Sequence, residues 1–308
     1  MEGVDLSNLE LGPLDADDDR NLPEYFVSFG EFEALEGKSK FFVVGAKGSG
    51  KSAIRRFVFD RRRSDGHPVI SVDDAYSVPL TELETSSAAE IKNKMKAYIT
   101  GIVIQNLLES PAVQARCKNE LKQFKDSVPL IQALLKSVKI KPPYCEIAMS
   151  ELLPEKKRGG LFRIFDPSIS DAIVEALGDD DIWLLVDDVH RVFTSQSGEL
   201  LLRFIEGLIY ATSDLAIQTF DRKVFIVLFL RSEIYDELAL RAADLDKELQ
   251  YMWHIVWDAD ELARFLAERI RWALDYERRL ETWEYWSRLF DAETRQDASK
   301  LQQYLIER

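Results

Sequence analysis

The sequence predicts an α/β fold built on a parallel sheet, and three observations predict it. Apolar runs at Phe41–Val44, Val69–Val72, Ile182–Val186 and Lys223–Leu230 alternate with stretches of helical periodicity. The last two runs are apolar almost throughout and close on polar residues, as strands buried on both faces do. Between the first run and the helix after it lies Gly45-Ala46-Lys47-Gly48-Ser49-Gly50-Lys51-Ser52. This is G-x-x-x-x-G-K-S in the strand-to-helix setting where such a loop cradles phosphate.

The totals agree with a soluble chain that has a substantial core. Of 308 residues, 46% are hydrophobic and 31% charged. No run of about 18 uncharged apolar residues occurs, so no membrane-spanning helix is expected. The acidic start, MEGVDLSNLELGPLDADDDR, lacks the basic and apolar regions of a signal peptide, and a cytoplasmic setting follows as the expectation. Cys117 and Cys145 have no metal-ligand spacing and read as reduced thiols. His67, His190 and His254 stand far apart, which disfavours a zinc centre. A net charge of −14 repels phosphate backbones, so nucleic acid is a poor partner for this chain alone. The basic clusters at Arg55-Arg56, Arg61–Arg63 and Lys156–Arg158 read as solvated faces.

Taken in order, residues 1–22 form an acidic arm of low apolar content, expected to be flexible. Aromatic residues at 25, 26, 29 and 32 then follow a helical spacing. They suit packing, and their place before the first strand also suits an adenine pocket. The helix after the loop runs to about Arg63, where Ser64-Asp65-Gly66 and Pro68 turn the chain. The strand Val69–Val72 ends in Asp73-Asp74. Ser87 and Glu90 stand at capping-box spacing and start a helix that reaches about Leu108. Helical patterns cover Ala112–Phe124 and Val128–Ser137, and Lys141-Pro142-Pro143 reads as an extended connector. Gly178 closes a helix over Asp171–Leu177. The stretch from about 80 to 180 is too long for one crossover and is expected to be a helical insertion. Helices are expected over Leu200–Ala211 and Ile234–Asp246, with a short strand at His254–Trp257. Charged amphipathic helices over Ala259–Leu274 and Glu277–Phe290 complete the pattern. The chain divides into the arm at 1–22, a nucleotide-binding domain at 23–257 and a helical lid at 258–308. No capping glycine or proline follows Leu301–Arg308, which is what a helix continuing past the given chain would show.

The loop's chemistry follows from its residues. Its glycines let the backbone turn several N–H groups inward, making an anion nest at a helix start. Gly45, Ala46, Lys47, Gly48, Ser49, Gly50, Lys51 and Ser52 are the candidate nucleotide-binding residues. Lys51 is placed to reach the β- and γ-phosphates, and the Ser52 hydroxyl to ligate Mg²⁺. ATP and Mg²⁺ are therefore the expected cofactors. Hydrolysis needs an acid to hold the metal and a group to orient water. Ile182–Val186 ends in Asp187-Asp188, and Val69–Val72 ends in Asp73-Asp74. The longer apolar run favours Asp187 for the metal over Asp73. Asp188 then stands where a general base, usually glutamate, would polarise water. Its shorter side chain suggests slow turnover. The same pair also suits a helix N-cap. Arg231 closes the strand before it and is the candidate cation for the γ-phosphate, with a surface pair to Glu233 or Asp236 as the alternative. Arg191 reads as an ordinary salt-bridge partner.

With GAKGSGKS, WLLVDDVHR, VFIVLFLRSEIYDEL and IVWDADELARFLAERIRWAL in view, the chain resembles the additional-strand P-loop ATPases, in particular AAA+/STAND-type and KAP-like bacterial ATPases. The resemblance covers roughly 25–64 and 180–275, the Walker A block being the most specific and the Walker B block at Asp187-Asp188 less so. It implies a five-stranded sheet of order 5-1-4-3-2 with a helical lid. It further implies an ATP hydrolase that works as a conformational switch or oligomeric motor, through self-association or a protein effector, often in anti-phage defence. The insertion at 80–180 departs from a minimal AAA+ core and puts ring formation in question.

Two other functions compete. A small-molecule P-loop kinase would need an arginine-rich lid, for which Lys156–Arg158 is the one weak candidate. A DNA-associated motor or initiator fragment fits the resemblance but not the acidity. A GTPase is disfavoured, since neither D-x-x-G after the acidic strands nor N-K-x-D occurs.

Overall fold

A computed structural model describes residues 12–13, 15–72, 87, parts of 89–103, 138–141, 144–147, 174, 177–187, 198–219, 223–241 and 245–273. Two short helices, α1 (Leu22–Tyr25) and α2 (Phe32–Glu36), precede strand β1 (Phe42–Gly45). Helix α3 (Lys51–Ser64) leads to β2 (Val69–Val72). Strands β3 (Val138–Lys141) and β4 (Tyr144–Ile147) form an antiparallel hairpin, and β5 (Ile182–Val186) returns the chain to the main sheet. Then come α4 (Gly198–Asp214), β6 (Val224–Arg231), α5 (Ser232–Ala239), β7 (Met252–His254) and α6 (Ala259–Ala273).

The main sheet is all parallel, in the order β2-β5-β6-β1-β7. Counting its five strands alone in chain order gives 2-3-4-1-5, which is 5-1-4-3-2 from the opposite edge. Helices flank it, so the fold is α/β. The central strands show why. Phe42, Val43 and Val44 of β1, Leu184 and Leu185 of β5, and Ile226 to Leu228 of β6 are fully buried. Side chains on alternate sides of a strand can all be buried only if both faces are covered. Leu35, Ile54, Phe204, Ile205 and Leu208 join the same core from the helices.

Several expected elements are shifted. The aromatic run at 25–32 is split into two short helices rather than one, yet Tyr25, Phe29 and Phe32 are all buried. Strand β7 lies at Met252–His254 instead of 254–257, because a 3₁₀ turn over Leu245–Tyr251 delivers the chain to the sheet edge earlier. Pairing still extends one step further, with Ile255 N donating to Val44 O at 2.7 Å. The stretch 80–180 is not wholly helical. Val138-Lys139-Ile140-Lys141 alternates apolar and polar residues, and that two-residue period pairs with Tyr144–Ile147 across the prolines read as a connector. The expected helices at 112–124, 128–137 and 277–290 lie outside the described residues. Among those described, no helix is long and apolar enough to cross a membrane.

The expected capping box is present, with Ser87 N donating to a Glu90 carboxylate oxygen at 2.7 Å and Glu90 N to Ser87 Oγ at 3.3 Å. The helix it opens buries Ile91, Met95, Ile99 and Val103, one residue per turn. It meets α4 at Gly207, where an added Cβ would stand 2.5 Å from Ile91 Cγ2 and 3.1 Å from Lys92 N. Gly207→Ala is therefore expected to cost about 1–3 kcal/mol by overpacking, outweighing the roughly 1 kcal/mol that alanine gains in helix propensity. A lowered urea midpoint checks this, and an unchanged or raised one contradicts the close crossing.

At the opposite end of the strands, Asp181 accepts bonds from Lys38, Arg62 and Trp183 Nε1, the last at 2.9 Å. Burial opposes its ionisation. The bonds from Lys38 and Trp183 and the charge of Arg62 outweigh that, and its carboxyl titrates below the usual carboxylate range. A carboxyl depressed in the folded state adds stability above its unfolded value of about 3.9, and this is lost as pH falls through the lower folded value. Asp181→Asn is thus expected to lower the urea midpoint at pH 7 and to flatten its fall between pH 5 and 3. An unaltered acid limb would contradict this role.

Candidate functional site

The site is built where β1 ends. Chain leaving the carboxyl edge of a parallel sheet opens into the crevice where ligands bind in such folds. Here residues 46–50 turn back sharply to start α3. The turn relies on Gly48 (φ 84°) and Gly50 (φ 101°), both left-handed, a conformation that costs most other residues energy. Gly50 is the N-cap of α3 and offers no side chain to its N–H groups. The first turn of that helix therefore presents backbone donors and the positive end of its dipole toward the loop. Arg61, Arg62 and Arg63 in the last turn suit the other end.

Lys51 and Ser52 open this helix. The Lys51 ammonium folds back on the loop and donates to Gly45 O at 2.7 Å and Ala46 O at 2.8 Å. Ser52 Oγ donates to Asp187 Oδ2 at 3.0 Å. Asp187 is buried and directly follows β5, so the bond ties the start of α3, which follows β1, to the end of β5, with β6 between those two strands. Arg231, the last residue of β6, is paired in register with Gly45 and half-buried. The sheet thus brings Gly45–Ser52, Asp187 and Arg231 to one edge. Asp188 follows Asp187 but lies, with Asp73, Asp74 and Arg191, outside the described residues.

Three features of the site escaped sequence reasoning. Arg55, only 4% exposed, has its Nε 3.4 Å from Asp187 Oδ2 and donates through Nη1 to Ser71 Oγ at 2.7 Å. Its position three residues after Ser52, on the same helix face, was the available signal. Its Nη2 also donates to Asp17, from the arm expected to be flexible. Within that arm most of 15–22 is exposed, but Leu22 is buried and Asp19 is 1% exposed, accepts from Tyr25 Oη and from Asn21 N at 3.1 Å, and has Arg269 of α6 3.8 Å away. Burial, the bond to Asp19 and its charge push the Tyr25 hydroxyl far above its usual pKa.

The third feature is Trp257, after β7. Its Nε1 donates to Ser49 O at 2.9 Å, and its ring stacks on Phe29 at 3.7 Å and 18°. The neighbouring Phe265 of α6 lies 5.6 Å from the same ring. Asp258 and Glu261 form a capping box that starts α6, with bonds of 3.0 and 2.7 Å, and Glu261 also accepts from Gly30 N at 2.7 Å. Loop, N-terminal segment and α6 are therefore joined through one aromatic stack.

Chemically, the edge offers backbone N–H donors at a helix start, an ammonium held on two loop carbonyls, and a hydroxyl–carboxylate pair with hard oxygen donors. Among the described residues no group of three or more His, Cys, Asp or Glu could hold a metal by itself. A hydroxyl and one carboxylate suit a Mg²⁺ that keeps several waters and takes oxygens from a bound phosphate. No family model and no curated protein matches the chain.

Proposed function

We propose that this chain is a P-loop ATPase that binds ATP with Mg²⁺ at Gly45–Ser52, hydrolyses it slowly, and acts as a nucleotide-dependent switch. The observation that carries the proposal is the Ser52–Asp187 bond at 3.0 Å beside a Lys51 ammonium held on loop carbonyls. Lys51 is a stored cation. By rotating outward it would exchange two neutral carbonyl acceptors for charged phosphate oxygens, adding ion–ion attraction to bonds that its own charge already strengthens. Residues 46–50 and the first turn of α3 receive the phosphates through backbone N–H groups.

Ser52 would hold Mg²⁺ through its hydroxyl and Asp187 through water. When bound, that ion supplies neutralisation of charge on the β- and γ-phosphate oxygens. Asp188 is assigned to orient and polarise the attacking water, and Arg231, level with Gly45, to stabilise the departing γ-phosphate. Aspartate reaches less far than the usual glutamate, which favours slow turnover. Trp257, bonded to Ser49 O and lying against Phe265 of α6, links that helix to the loop, a route by which nucleotide state would reach a partner protein or a second copy. An anti-phage setting rests on the resemblance to KAP-like and AAA+/STAND ATPases alone.

Size-exclusion light scattering with and without ATP and Mg²⁺, run beside a phosphate-release assay, tests this. Slow, Mg²⁺-dependent release with a nucleotide-dependent shift in mass or in partner binding is expected. Phosphate transfer to a small-molecule acceptor with no release to water would replace the switch with a kinase.

A further inference from the structure

The geometry points to Arg55 as a positioning residue that fixes the Asp187 carboxylate for Mg²⁺, with Asp17 of the N-terminal segment balancing its charge. The inference rests on the nucleotide site proposed above and assigns a role to a residue that site does not require for phosphate contact.

Arg55 lies one turn into α3 and is almost wholly buried, an expensive place for a cation unless its donors are used. Its planar fork points three ways. Nε faces Asp187 Oδ2 at 3.4 Å, Nη1 donates to Ser71 Oγ at 2.7 Å, and Nη2 donates to Asp17. Ser71 is on β2, so one guanidinium touches the ends of two neighbouring strands and the segment before the sheet. Asp187 Oδ2 in turn accepts from Ser52 Oγ. The carboxylate thus has a hydrogen bond from the hydroxyl on the loop side and an ion-pair contact, without a hydrogen bond from Nε, with the guanidinium on the β2 side.

Two effects on a metal oppose each other. A nearby cation repels Mg²⁺, whereas a fixed carboxylate binds it better than a mobile one. Asp17 decides between them. Its carboxylate on Nη2 offsets part of the Arg55 charge, so orientation dominates. Asp17 is 53% exposed, and its compensation is correspondingly weakened by salt. Outer partners of metal-binding carboxylates are typically worth about 10–100-fold in metal affinity.

The test is the ratio of affinities for AMP-PNP with Mg²⁺ and with EDTA, measured on the full chain by equilibrium dialysis. Arg55→Met is expected to lower that ratio about tenfold or more, and Arg55→Lys to fall between it and wild type. Asp17→Asn, which removes one of the anions facing Arg55, is expected to lower the ratio severalfold, more at low salt than at high. A ratio in Arg55→Met equal to or above wild type overturns the inference and leaves the nucleotide site standing. So does a wild-type chain that binds AMP-PNP equally well in EDTA. If wild type binds AMP-PNP under neither condition, the nucleotide site itself fails and the inference with it. Should Arg55→Met not fold, Arg55→Lys and Ser71→Ala carry the test, and an unchanged ratio in both overturns it.

Discussion

Replacing Lys51 with alanine is expected to weaken ATP binding at least about a hundredfold, with little effect on the fold. The ammonium has two acceptors at 2.7 and 2.8 Å in the loop, and the proposed bound state gives it phosphate oxygens instead. Hydrogen bonds to charged groups contribute about 1.5–3 kcal/mol each, and each 1.4 kcal/mol is tenfold in affinity. A hundredfold is about 2.8 kcal/mol, the gain expected from ammonium–phosphate attraction over the two carbonyl bonds it replaces. Lys51 is only half-buried, and its present acceptors are carbonyls that water can reach after truncation. The thermal midpoint without nucleotide is expected to move little, since surface changes cost within about 0.5 kcal/mol. Calorimetric titration with ATP checks both parts, and an unchanged affinity would remove Lys51 from the site.

Asp187→Asn is expected to have the second largest effect, and on a different step. Asparagine keeps the volume and can still accept from Ser52 Oγ, so nucleotide binding in EDTA should change little. Losing the charge removes the carboxylate assigned to Mg²⁺ and leaves the buried Arg55 with one anion fewer. Removing one preorganised electrostatic partner of a transition state costs about 10²–10³ in turnover. Phosphate release should therefore fall by about that factor while binding in EDTA persists. Stability should also drop by about 1–3 kcal/mol, the cost of a buried donor that loses its charged partner. Wild-type phosphate release from this variant would exclude Asp187 from the reaction.

How much of this was legible in the sequence depends on the range of the interactions. The strands at 42–45, 182–186 and 224–231 could be read because burial on both faces forces continuous apolar runs. The half-buried edge strand at 69–72 could be read from its short β-branched run before a turn signal. The loop could be read because its glycines and Lys51-Ser52 have fixed spacing. The capping boxes at Ser87/Glu90 and Asp258/Glu261 are three-residue signals, and the first was read from spacing alone. Strand β7 was misplaced because three residues at a sheet edge carry little periodicity, and the preceding 3₁₀ turn sets where they begin. The hairpin at 138–147 was missed because Pro142-Pro143 outweighed the alternation of Val138–Lys141.

The contacts around the loop are another matter. Asp17 meets Arg55 across 38 positions and Trp257 meets Ser49 across 208, and no local pattern encodes such pairs. An acidic segment with few apolar residues looks flexible by composition. Asp19 is nevertheless buried, because Tyr25, the Asn21 amide and Arg269 all face its carboxylate. Individual partners, not average composition, decide that placement. The Asp187–Ser52 pairing was foreseeable only once both strand ends were placed on one sheet edge.

The central claim is that this loop binds a nucleotide by its phosphates, and one titration series tests it most directly. Adenosine, AMP, ADP and ATP are measured against the wild-type chain at fixed Mg²⁺. Affinity is expected to rise with each phosphate, with ADP and ATP binding far more tightly than AMP and adenosine binding barely at all. Adenosine binding as tightly as ATP, or no binding by any of the four, would contradict it.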